Sequence, residues 1–430
     1  MSGNSFLQRN LARFAKVEPR ETAAVVAAFC LFFFVLGSYF AVRPVRETVA
    51  TLLGRSRVAD LWLYTALFAI LIVPLYGWLI ARIRRSVLLP WIYGAVAVIL
   101  AFIGFFIQMD ESNLKVGTFF YVWISVINLM LVSVFWSFLL EMFSAEQTKR
   151  LFGFIAAGGS LGALVGPLIA RLSVESIGNS GVLYIGTVGF LGAIVCQRIL
   201  IGIWNRESPL NNPEQVGTRS TKDEGLGGNP FAGISIVLKS PYLLGIASFV
   251  VLLSAVNTFL YFEQLRIVSE TFESTTRRTE VFANIDFVVQ SLTIFSQLFL
   301  TGRIASRLGV RALLTFVPVL MVIGLMFLAM LNVFGMIAAL LVLRRWGEYA
   351  FIRPGREMLW GSLDTESKYK AKSFIDVPVY RAADYVGAQA KVALDAIGTS
   401  PAGTALVAAF LAAVWAVNGW LLGRKHDSAK

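Results

Sequence analysis

Apolar stretches of membrane length recur from one end of this chain to the other, and that recurrence excludes most folds. A helix needs ~20 mostly apolar residues to cross ~30 Å of hydrocarbon. Blocks of that kind lie at 22–46, 60–82, 88–109, 117–142, 150–172, 181–203, 242–268, 281–302, 310–331, 333–358, 372–396 and 402–422. The ninth and tenth are separated only around Asn332 and Gly335, and the eleventh is interrupted by Asp376, Arg381, Asp384 and Lys391. Hydrophobic residues make up 57% of the 430 and charged residues 15%, more apolar than a water-soluble domain requires. A helix satisfies its own backbone groups in lipid, whereas an open strand edge cannot. The blocks are also too long and too uniformly apolar for the alternating strands of a barrel. The expectation is an all-α integral membrane protein with twelve transmembrane helices in two six-helix halves.

Charge placement orients the spans. Residues 1–20 are polar and basic, carrying Arg9, Arg13, Lys16 and Arg20. No small-residue cleavage site follows the first block, which therefore reads as a span and not as a cleaved signal. Basic residues gather in alternate loops: Arg82, Arg84 and Arg85; Lys149 and Arg150; Arg303, Arg307 and Arg311; Lys368, Lys370 and Lys372. The positive-inside rule places those loops and both termini in the cytoplasm of a cell whose inner membrane the protein spans many times. The net charge of +12 is then mainly a topology signal, because no single patch or reading module points to nucleic acid. Cys30 and Cys196 fall inside spans and read as small packing residues. With His426 as the single histidine, no metal site is expected, and no cofactor.

The longest polar stretch between blocks, 204–239, is rich in Gly and Pro and reads as a cytoplasmic linker. It divides an N-terminal half, 1–203, from a C-terminal half, 240–430. Loops at matching places in the two halves are alike: Gly77 to Arg85 after the second block, Gly302 to Arg311 after the eighth. The fifth block carries Gly158, Gly162 and Gly166 at four-residue spacing, with Gly159 beside the first. Such a stripe allows close helix crossing, whether for static packing or for a moving interface.

Ionisable residues inside these blocks are the informative ones, since a charge at the bilayer centre costs at least ~2.5 kcal/mol. Two short motifs stand out. The first span ends in Arg43-Pro44-Val45-Arg46-Glu47 and the tenth in Arg353-Pro354-Gly355-Arg356-Glu357, so Arg-Pro-x-Arg-Glu occurs once in each half. Arginines three apart share a helix face, and the proline frees a carbonyl. Helix-end arginines reaching for water are one reading. A substrate or gating site is the other. An arginine fork suits phosphate or carboxylate oxygens and keeps its charge when desolvated. In the empty protein Glu47, Glu348 or Glu357 would hold these arginines. Polar stripes add Asp286, Gln290, Thr293 and Gln297 in the eighth span, Asn257, Tyr261 and Gln264 in the seventh, and Ser133, Ser137 and Glu141 in the fourth. The candidate substrate ligands are Arg43, Arg46, Arg353, Arg356, Arg381, Tyr261 and Gln290. The candidate gating or proton-coupling acids are Glu47, Glu141, Asp286, Glu348, Glu357 and Asp384.

Three stretches carry a family resemblance: Tyr39-Phe40-Ala41-Val42-Arg43-Pro44-Val45-Arg46-Glu47, Arg150-Leu151-Phe152-Gly153-Phe154-Ile155-Ala156-Ala157-Gly158-Gly159-Ser160, and Lys368-Tyr369-Lys370-Ala371-Lys372-Ser373-Phe374-Ile375-Asp376-Val377. In them the chain resembles the bacterial and plastid ATP:ADP antiporters, a distant branch of the major facilitator superfamily. The resemblance implies a major facilitator-like fold and nucleotide exchange by alternating access. The first-span motif of that family has an Arg followed three residues on by Lys and an acid; Arg43, Arg46 and Glu47 fit, with Arg for Lys. The family's eleventh-span Arg matches Arg381, but where its Lys would stand this chain has Asp384. That exchange removes positive charge from a polyphosphate site and keeps open a proton-coupled carrier of another polar or anionic metabolite, siderophore, drug or lipid-like substrate. A transporter-shaped receptor or assembly factor is a third class. None of these is an enzyme: the fifth-span glycines do not spell a phosphate loop, so ATP would be cargo and not fuel. The expected partners are an anionic small molecule and the lipid bilayer, with the chain acting as a monomer.

Overall fold

The computed structural model describes residues 18, 21–83, 85–207, 232–362, 371–372 and 374–428. Most of the expected linker, and Lys368 and Lys370 of the basic loop, lie outside the described residues. The rest is almost wholly helical, with no strand among the described residues. In chain order the helices are α1 (Thr22–Leu53), α2 (Arg55–Arg82), α3 (Arg85–Met109), α4 (Leu114–Met142), α5 (Ala145–Glu207), α6 (Ala232–Lys239), α7 (Pro241–Thr271), α8 (Thr275–Phe299), α9 (Thr301–Met330), α10 (Phe334–Gly347), α11 (Arg353–Leu359), α12 (Tyr380–Ala396) and α13 (Pro401–Ser428). Eight of the described helices are long and apolar enough to cross a membrane. The described residues of the expected spans are mainly helical, α5 covering two of the spans and the eighth running across a break at Leu300.

Local sequence explains where the helices break. α5 is two helices joined at a kink, because Gly178 takes a non-helical backbone with a positive φ of 68° that separates the fifth span from the sixth. α9 has the same device at Gly309, φ 77°, so a short basic helix precedes the ninth span at Val310. Ser240 caps α7 by accepting from the amide of Leu243, with Pro241 at the first helical position. Asn113 caps α4 through the amides of Lys115 and Val116.

The tenth and eleventh spans are less regular than their apolar patterns predict. Between α10 and α11 the chain makes a π-helical turn, Glu348–Ile352, and before α12 another, Ile375–Val379. Each lies at a proline, Pro354 just beyond the first and Pro378 inside the second. A proline lacks the amide and crowds the carbonyl four residues back, so a widened turn relieves the clash.

The chain folds into two compact units that do not coincide with its sequence halves. One comprises the described parts of 1–52, 67–222 and 274–287, the other those of 53–66, 223–273 and 288–430. In the first unit the glycine stripe of α5 meets α1 backbone to backbone. A Cβ at Gly158, Gly162 or Gly166 would run into the carbonyls of Phe29, Phe33 and Gly37 respectively. The ring of Phe32 fills the space over Gly159 and stacks on Phe135 at 4.1 Å. In the second unit α9 and α13 pack closely, with Gly419 against the Leu314 carbonyl and Trp415 buried beside Phe249.

Candidate functional site

Arg43, Arg46 and Glu47 lie on consecutive turns of α1, which continues unbroken through Pro44. Both arginines are mostly buried, at 16% and 15% side-chain exposure. Arg43 sits 3.9 Å from Glu47 and 3.7 Å from Asp286 of α8. Arg46 donates to Glu47 and, at 3.2 Å, to the hydroxyl of Ser125 on α4, with its guanidinium 5.5 Å from the ring of Tyr121. The four charges balance, two against two. Glu47 and Asp286 are nearly closed to solvent at 7% and 3%, and the second carboxylate oxygen of Glu47 is buried without a hydrogen bond among the described residues. A carboxylate held that way is poorly compensated, so the group is stabilised chiefly by its ion pairs. Asp286 as a partner of Arg43 was not anticipated: the sequence indicates its depth but not which first-half side chain it meets.

The second copy of the motif is organised differently. Glu348, on the π turn, accepts from Arg344 at 3.1 Å and from two nitrogens of Arg353 at 3.0 and 3.2 Å. The Arg353 guanidinium also covers the ring of Tyr349 at 4.6 Å. Arg356 pairs with Asp376 at 3.3 Å. Glu357 takes Lys372 as its partner and neither arginine of its own motif. The π turn sets Glu348 one widened turn before Arg353 on the same face, so Arg353 pairs backward with Glu348 although Glu357 stays one regular turn ahead of it in α11.

Around α12, Asp384 is buried, accepts from the Ser254 hydroxyl at 2.5 Å and lies 3.7 Å from Arg381. Asn257 reaches the hydroxyl of Tyr380 at 3.5 Å. Gln290 is buried in α8, and Tyr261 packs its ring against Trp62 at 5.3 Å. Glu141 stands apart from these clusters in one respect: it is exposed, in the last turns of α4.

Two polar networks went unread in the sequence. In the first unit a hydrogen-bonded chain runs from Thr48 to Thr279 at 2.6 Å, on to Asn179 at 2.6 Å, then to Glu111 and back to Thr275 at 2.7 Å. In the second unit a line of alternating charges joins Arg55 to Asp395 at 2.8 Å, Asp395 to Lys391 at 2.6 Å, Lys391 to Glu263 at 3.1 Å and Glu263 to Arg266 at 2.8 Å. Lys391 is only 4% exposed, which makes it one of the most deeply buried cations described. Its signal is its four-residue spacing to Asp395 within the span that Asp376, Arg381 and Asp384 also interrupt.

A set of membrane-length helices with charged side chains buried among them defines a multi-pass membrane protein. A family model described as Major Facilitator Superfamily matches residues 27–353, and the chain belongs to that superfamily. Among curated relatives, ADP,ATP carrier protein 1 of Chlamydia trachomatis serovar D is 27% identical over 65% of this chain and 58% of its own length. ADP,ATP carrier protein 1 of Chlamydia muridarum is 26% identical over 59% of this chain and 54% of its own length. The chain thus aligns with little more than half the length of these relatives. Among solved structures, that of the nucleoside transporter NupG superposes with a TM-score of 0.62 over 94% of this chain and 98% of its own, at 13% identity. That likeness is one of fold.

Proposed function

We propose that the protein exchanges nucleotides of the ATP/ADP kind across a bacterial inner membrane by alternating access, working as a monomer with both termini in the cytoplasm. The observation that carries this reading is the buried quartet of Arg43, Arg46, Glu47 and Asp286. Phosphate oxygens are the natural competitors for these guanidiniums, because a planar fork gives two parallel bonds to either acid. Arriving phosphates would replace Glu47 and Asp286 as partners, and the released acids would repel the ligand if it stayed without a change of conformation. Binding and movement are coupled in this way without hydrolysis. The relatives' name, ADP,ATP carrier protein 1, supports the choice of anion.

A second reading rests on Asp384. A buried carboxylate held by one hydroxyl and paired with Arg381 at 3.7 Å is suited to carry a proton, and it stands where a polyphosphate site gains nothing from an acid. Proteoliposomes separate the two. Exchange predicts that labelled ATP enters only vesicles preloaded with ADP or ATP, with or without a pH gradient. Uptake into empty vesicles driven by a pH gradient would overturn exchange in favour of the Asp384 reading.

Arg46→Lys keeps the charge and loses the fork to Ser125 and Glu47, so ATP affinity is expected to fall about tenfold while the protein stays folded. Unchanged affinity in that variant would remove Arg46 from the ligand set.

A further inference from the structure

A groove in the second unit, outside the charge clusters above, is built to hold an anion and a hydrocarbon together. Its volume is 730 Å³, and its walls include Ser306, Leu308, Arg311, Met358 and Arg424. It opens where α9 kinks and α13 ends. Arg311 and Arg424 line it and are exposed, Arg303 and Arg307 are exposed on the short helix before the kink, and none of the four forms an ion pair among the described residues. Asp427, the acid among the described lining residues, is already engaged, since its two oxygens accept from the amides of Val310 and Arg311 at 3.1 Å each. Those amides are therefore not available to a ligand, while the arginine side chains are.

The surroundings decide what kind of anion fits. Leu308 is 62% exposed and Leu421 54%, so lipid-facing apolar surface begins at the groove's edge. The guanidinium of Arg424 lies over the ring of Trp420 at 5.3 Å, an aromatic–cation pair of the kind that marks the headgroup level. A soluble anion would use the arginines and leave the apolar wall wet. An anionic phospholipid would use both, with its phosphodiester among the arginines and its acyl chains along α9 and α13.

We propose that this groove is a binding site for an anionic phospholipid, with Arg311 and Arg424 as the principal phosphate ligands and Arg303 and Arg307 as supporting charge. Basic pockets between transmembrane helices at a membrane face bind such headgroups by the same physics. The site is independent of the transported substrate, so it stands or falls apart from the nucleotide reading.

The test uses the full chain, delipidated in detergent, incubated with mixed micelles containing phosphatidylglycerol or phosphatidylcholine, and weighed intact by native mass spectrometry. Phosphatidylglycerol adducts are expected on the wild type and phosphatidylcholine adducts are not. The double variant Arg311→Gln, Arg424→Gln is expected to bind phosphatidylglycerol roughly thirtyfold more weakly. Arg311→Lys, Arg424→Lys, which keeps the charge, is expected to retain most of the binding and serves as the folding control. Equal adducts of both lipids, or undiminished phosphatidylglycerol binding in the glutamine variant, would overturn the proposal. A third arm adds excess inorganic phosphate. Displacement of the lipid by phosphate would show a site for a soluble anion and would also defeat the lipid assignment.

Discussion

At the scale of single residues, what matters is which partner a charge finds. Glu21 illustrates this at the start of α1. Burial works against its ionised form, but hydrogen bonds from Gln147, from Arg150 at 2.9 Å and from the Glu18 amide more than offset that, and hold the carboxyl below its ordinary value of 4.5. A carboxylate with a lowered pKa stabilises the fold fully above its unfolded value, and the contribution is lost as pH falls through the folded one. Glu21→Gln should therefore lower the thermal midpoint at neutral pH, and the gap from wild type should shrink below about pH 4.5. A gap that stays constant down to pH 3 would mean the loss is one of packing and not of charge. That such residues matter was legible in the sequence, because a carboxylate or guanidinium beside a membrane-length block has few cheap places to be. Its partner was not legible. Arg43 meets Asp286 across more than two hundred residues of chain, Glu357 meets Lys372, and Arg353 meets Glu348 through a π turn that no apolar period announces.

At the scale of elements, the helices themselves were the most readable part. Apolar blocks of membrane length became helices among the described residues because apolar length in lipid leaves the backbone no other solution. The glycine stripe was legible as a close-contact surface, though not the helix it contacts. With α1 lying directly on Gly158, Gly162 and Gly166, a side chain at the middle position must push the two backbones apart. Gly162→Ala is expected to cost about 1–3 kcal/mol of stability, and Gly162→Leu to prevent folding. By contrast Gly153, with nothing within 4 Å of an added Cβ, should accept alanine at no measurable cost. Thermal unfolding of the two alanine variants in one detergent is the comparison, with Gly162→Leu read as loss of folded protein; equal losses at positions 153 and 162 would contradict the packing described. The basic loop before the ninth span also became clearer. Asp427 at the end of α13 supplies a carboxylate to the amides of Val310 and Arg311, which ties that loop to the last helix.

At the scale of the whole molecule, six spans, a polar stretch and six spans were plain in the sequence, but the compact units cut across that division. Residues 274–287 belong to the first unit and residues 53–66 to the second. The threonine–asparagine–glutamate chain secures the one insertion, and the Arg55–Asp395 pair helps to secure the other. Helix assignment alone did not expose this, because a span reads the same whichever neighbours its ends have. Its consequence concerns fragments. A protease site placed between Glu207 and Ala232 divides the chain into two pieces, and neither piece contains a complete compact body. Each carries a stretch on which the other depends, so the pieces are expected to copurify through an affinity tag on either one after cleavage. Expressed alone, each should be degraded; expressed together from separate messages, they should reassemble. A stable, monodisperse N-terminal fragment on its own would show that the borrowed stretch is dispensable. Otherwise, breaking the continuity of the polypeptide does not break the protein, because what makes it one object is reciprocal possession and not the peptide bond.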